Sequence, residues 1–159
     1  MRELNLWLHV IGFSIYLGST VTILLAILPM VTTLEDPAGR RQLFAKAMRV
    51  YNPLSLAALG VSLMTGAFNL TDYKARLGPR FFEAIGSVLA WKLLVVFVLI
   101  LVATGASFGI GHRTVREELA GEAVDAAELD RRLRRLPGML WTAVACTALA
   151  IWLGLGMSW

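Results

Sequence analysis

Two ionisable residues interrupt long apolar runs: His9 in "LNLWLHVIGFSIYLGSTV" and Lys92 in "SVLAWKLLVVFVLILV". Inserting such a group among lipid-facing helices costs about 2.5–3.5 kcal/mol for a Lys at mid-bilayer, so a functional reading comes first. A neutral imidazole ligates metals and relays protons. A protonated amine pairs with an anion, and a desolvated one accepts a proton. Structural readings stand beside these. The run from Leu93 to Gly111 is itself about long enough to span, which would let Lys92 snorkel to the headgroups beside an interfacial Trp91. His9 would then be a neutral ring hydrogen-bonded near the interface. The second histidine, His112, closes the third apolar run, roughly 25–30 Å from His9 at about 1.5 Å per residue, so the two do not share one metal centre.

The elements that must position these residues follow from composition. The 159 residues are 57% hydrophobic and 16% charged, with a mean hydropathy of +0.67, against about 45–50% apolar and about 25% charged residues in a soluble domain. This predicts an integral membrane protein of one domain. Crossing an approximately 30 Å hydrocarbon core takes about 20 helical residues. Four runs qualify, from about Leu6 to Met30, Leu54 to Leu70, Ala84 to Ile110 and Met139 to Met157. They are continuous and lack the alternation of a membrane barrel strand, so an all-α four-helix bundle is expected. The first run exceeds a secretory h-region and is not followed by a small-x-small cleavage site, so it is expected to stay in the protein.

Basic residues set the expected orientation. Connections 31–53 and 111–138 carry Arg40, Arg41, Lys46, Arg49, Arg113, Arg116, Arg131, Arg132, Arg134 and Arg135; the opposite side has Arg2, Lys74, Arg76 and Arg80. By the positive-inside rule the two richer connections are cytoplasmic and both termini are extracytoplasmic, as in a multi-pass protein of a bacterial-type inner membrane. The formal charge of +4 then reads as topology and attraction to anionic lipid, and nucleic acid is not an expected partner. His9 and Lys92 fall at one depth, near the outer face, because odd-numbered spans run inward.

Local signals refine the picture. Thr114 and Glu117 have the spacing of a capping box in "TVREELAGEAVDAAELDRRLRRLPG", which predicts cytoplasmic helical extensions or a solvated charged linker up to Pro137-Gly138. Pro53 reads as the first turn of the second span. Gly60, Ser62 and Gly66, and then Gly105, Ser107, Gly109 and Gly111, suit close helix approach. Trp7, Trp141 and Trp159 sit where interfacial anchors belong, while Trp91 and Trp152 lie further in and suit either lipid contact or a pocket wall. Cys146 has no partner cysteine, so no disulfide framework or thiolate cluster is available.

The chain resembles the HemJ-type protoporphyrinogen oxidases and the related CopD-like four-helix membrane domains. The similarity is carried by "WLHVIGFSIYLG", "ILP", "FAKAMRVYNPLSLAALGVSLMTG" and "WKLLVVFVLILV", with a weaker echo in "RRLPGMLWTAVA". It implies a four-helix bundle in which His9 and Lys92 surround haem b or a porphyrin substrate. His9 would be the axial metal ligand. Lys92 would either pair with a propionate or, deprotonated, ligate iron or take a proton as the catalytic group. Phe13, Tyr16 and Trp91 would line the slot. A membrane quinone is a redox partner consistent with that chemistry. Two stretches differ from the HemJ-type pattern: "LPMVTTLEDPAG" stands where a basic residue, aromatics and a second histidine follow the "LP", and Arg134-Arg135-Leu136-Pro137 replaces an Asn-Glu lead into the fourth helix. The resemblance thus implies the scaffold more than the oxidase reaction.

Two other function classes remain. CopD-like domains are linked with copper uptake or tolerance, and soft Cu(I) takes Met, Cys or His ligands. Met1, His9 and Met157 would converge near the outer face, with Met64 and Cys146 deeper. Alternatively the chain is a cofactor-free small subunit of a membrane complex, or a homo-oligomer, packed through its glycine faces. A phosphate-binding glycine loop, a CxxCH haem attachment and a Ser-His-Asp set at one depth are all missing from the sequence.

Overall fold

The computed structural model of the chain describes residues 2–122 and 125–155, with the side chain of Arg2 excepted. Among them every regular element is helical. Helix α1 (Arg2–Thr22) continues through a π-helical segment, Ile23–Ile27, into α2 (Leu28–Thr33). Helix α3 (Pro37–Leu77) is followed by a 3₁₀ turn, Gly78–Arg80, and by α4 (Phe81–Thr104). A second π-helical segment, Gly105–His112, leads into α5 (Arg113–Leu119), and α6 (Ala126–Leu155) completes the described chain. Met1, Met157 and Trp159 lie outside the described residues.

Proline and glycine explain the joints. Pro29 has no amide to offer Leu25, and its ring crowds that carbonyl; the backbone widens into π geometry over Ile23–Ile27, just where the ring needs room. Helix α3 begins where the Asp36 carboxylate accepts the amides of Ala38 and Gly39, with Pro37 in the first turn. At Gly78 the backbone takes φ +53°, a conformation that favours glycine, and the chain doubles back. Phe81 and Ile85 then pack on Leu70, Tyr73 and Leu77.

Three expectations about local structure are corrected. Pro53 lies inside α3, not at its start, so the helix carrying the second apolar run begins far earlier, at Pro37. Pro137 likewise lies within α6 and does not end a helix. Thr114 and Glu117 form no capping box: the helix runs unbroken from Phe81 through Leu119, leaving no free first-turn amides there. The Thr114 hydroxyl donates instead to the Ile110 carbonyl at 2.9 Å.

The rods associate as two pairs, α1 along α3 and α4 along α6. The pairs are joined by a large apolar cluster that includes Leu28, Phe44, Met48, Ile110, Leu136 and Leu140. A smaller cluster of Tyr16, Ala58, Leu59, Leu99, Ala103 and Ala143 joins them again further along. The outer surface is apolar too, with Trp7, Phe82, Leu101 and Trp152 among the exposed side chains. Water does not tolerate so continuous an apolar surface, whereas lipid does. Three stretches, Glu3–Thr33, Pro37–Leu119 and Ala126–Leu155, are long and apolar enough to cross a membrane, and the second is folded back on itself at Gly78.

Candidate functional site

His9 sits one helical turn after Asn5 on α1, and both face a matching polar row on α3 formed by Ser62, Thr65 and Asn69. The Asn5 side-chain amide donates to the Thr65 carbonyl at 3.0 Å and to Asn69 Oδ1 at 2.7 Å. His9 Nδ1 lies 2.9 Å from the Ser62 carbonyl and 3.0 Å from Thr65 Oγ1. The Thr65 hydroxyl spends its own proton on the Val61 carbonyl at 2.7 Å. Both neighbours of Nδ1 therefore accept, and in the neutral ring the proton resides on Nδ1. The Nε2 lone pair is left available for a metal or an acid. A β-carbon on Gly66 would come within 3.2 Å of the imidazole Cε1, so a glycine there lets the ring lie against α3.

Phe13, one turn on, meets His9 edge to face with ring centroids 4.9 Å apart. Tyr16, a further turn along, is buried in the smaller apolar cluster. Its hydroxyl has no hydrogen-bond partner among the described residues, and neither does Asn52 Oδ1, deep in α3. Asn52 packs against Gly111, where a β-carbon would approach its side-chain nitrogen to 2.7 Å. Close approach at the third run's glycines thus seats an amide in the bundle interior.

Lys92 belongs to the other helix pair. It is half-buried, and its Nζ lies 2.9 Å from where a β-carbon on Gly154 of α6 would stand. It makes no ion pair among the described residues. His9 precedes Tyr16 by seven residues, and Lys92 precedes Leu99 by seven. Both therefore lie two turns, about 10 Å, beyond the last apolar cluster that joins the pairs. Trp91 is 64% exposed and faces away from the bundle, as do Trp7, Trp141 and Trp152. Met64 is exposed and Cys146 half-buried. Among the described residues no three His, Cys, Asp or Glu side chains gather as a metal cage.

The opposite end of the bundle holds a network of buried charges that no sequence motif marks. Arg132 of α6 donates to both oxygens of Glu117 on α5, at 2.5 and 3.0 Å, and to Thr114 at 3.2 Å. Its Nε donates to Glu128 at 3.0 Å. Arg113 adds a second partner to Glu117, and Arg40–Asp130 and Arg41–Glu118 tie α3 to the same end. The Arg132 hydrogen bond, reinforced by Arg113, holds the Glu117 carboxyl below its ordinary range against the opposing effect of burial. Comparison with protein-family models, curated proteins and solved structures returns no match.

The Asn5, Ser62, Thr65 and Asn69 seam does have a signal in the sequence: polar residues recur at helical spacing on each of two helices, at positions 5 and 9 and at 62, 65 and 69.

Proposed function

We propose that the protein is a haem b- or porphyrin-binding four-span membrane protein, with both termini extracytoplasmic and with connections 31–53 and 111–138 in the cytoplasm. The hydrogen bond from His9 Nδ1 to the Ser62 carbonyl carries this reading. An imidazole serves best as a metal ligand when its other nitrogen donates to a carbonyl, because that fixes the tautomer, orients the ring and raises ligand basicity. His9 Nε2 would hold the iron in this proposal. The slot lies between the α1–α3 and α4–α6 pairs, beyond their shared apolar cluster.

The remaining roles follow from chemistry. A bound haem supplies one-electron redox chemistry, with a membrane quinone as the fitting partner. Lys92, which makes no ion pair among the described residues, suits a propionate; where the porphyrin is substrate, its amine would take a proton. Phe13 holds the imidazole edge, and Tyr16 closes the bottom of the slot. Thr65 and Asn5 act on His9 through α3 and keep the ring from turning to lipid.

The test is a visible spectrum of detergent-purified protein supplied with haem, before and after dithionite. The proposal predicts a Soret band with sharp alpha and beta bands on reduction. Absence of any Soret band after haem supplementation would overturn it, and a colourless preparation that retains stoichiometric Cu(I) would point to copper transport instead.

A further inference from the structure

At the charged end a groove of about 380 Å³ opens between the second π-helical segment and the start of α6. Its floor is Gly109, Ile110 and Met139, and its walls carry Arg113, Arg131, Arg132 and Arg135 beside Glu128. The arginines are not equally occupied. Arg132 is buried and saturated by Glu117 and Glu128. Arg113 and Arg131 each hold one carboxylate but remain more than half exposed. Arg135 is exposed and makes no ion pair among the described residues. Four guanidinium groups against the carboxylates of Glu117 and Glu128 leave the groove with two positive charges in excess.

From this geometry we infer that the groove binds the phosphate headgroup of an anionic phospholipid, held by Arg131 and Arg135 with the acyl chains leaving over Ile110 and Met139. The lining changes from apolar to cationic along its length, at the place where the apolar run ending at Ile110 gives way to Arg113. A soluble anion needs only the cationic half. A lipid needs both, and planar guanidinium groups bind phosphate oxygens in pairs. Basic pockets at the end of membrane helices are suited to such headgroups. The Glu117–Arg132 pair is the fixed rear wall: with its own charge answered, it positions α5 against α6 and leaves the outer arginines to the ligand.

Native mass spectrometry of the detergent-purified protein, titrated with phosphatidylglycerol or phosphatidylcholine, tests the inference. Phosphatidylglycerol is expected to be retained about tenfold or more over phosphatidylcholine. The Arg131→Gln/Arg135→Gln variant, altered only at exposed positions, should lose that preference. Arg76→Gln/Arg80→Gln, altered at the far end, should keep it. Three results would overturn the inference: equal retention of both lipids, unchanged preference in the Arg131/Arg135 variant, or displacement of the lipid by millimolar inorganic phosphate.

Discussion

At one end of the bundle Arg132 donates two hydrogen bonds to Glu117, with Glu128, Arg113 and Thr114 satisfying what remains. At the other end His9 has one nitrogen held by a carbonyl and a hydroxyl, and Lys92 has no acidic partner among the described residues. Both regions place polar groups where burial is costly. The difference lies in how completely they are answered: the first network closes on itself and holds helices together, while the second leaves a lone pair and a cation to spare. Burial alone therefore does not distinguish the two regions; how far each polar group is satisfied does.

The contrast is open to breakage. The largest effect is expected from Glu117→Ala, which leaves the buried Arg132 short of its main counter-ion and should cost about 3 kcal/mol in denaturant unfolding from detergent. Glu117→Leu/Arg132→Met removes both charges and should recover most of that loss. A single variant no less stable than the double would show that the pair is not a structural device.

Acid should unpick the same network. Because the folded state holds the Glu117 carboxyl below its ordinary value of 4.5, the unfolded chain binds the proton more readily. The stabilisation is complete above about that value and is lost as pH falls through the lower folded-state one. Glu117→Gln should flatten this acid limb in pH-dependent unfolding. Smallest is the effect expected at the His9 end: Asn5→Leu, which removes two hydrogen bonds to α3, should cost only about 1.2 kcal/mol, at about 0.6 kcal/mol for each polar contact between membrane helices. A loss as large as that of Glu117→Ala would make the His9 seam a structural clamp as well.

The apolar helices were legible in the sequence because spanning lipid demands length and continuity, and both are visible without coordinates. Helix ends were not. Pro53 looks like a first-turn residue and Pro137 like a helix end, yet each removes a single amide, and a long helix packed by neighbours carries on past that loss. The spacing of Thr114 and Glu117 is shared by a helix start and a helix interior, and only the continuity from Phe81 to Leu119 decides between them. His9 and Lys92 stood out as ionisable residues in apolar runs. What orients His9, the Ser62 carbonyl, is a backbone atom that no side-chain pattern reveals. Arg132 and Glu117 were hidden for another reason: in a charged connection any of several arginines can meet any of several glutamates, and packing alone chose this pair.

The proposed role of His9 Nε2, a ligand held ready by α3, can be read from the Soret band of haem-supplied His9→Gly protein before and after adding imidazole. The band is expected to be lost or strongly shifted in the variant, and free imidazole, entering the vacated space, should restore the wild-type position. A His9→Gly spectrum identical to wild type without imidazole would contradict it.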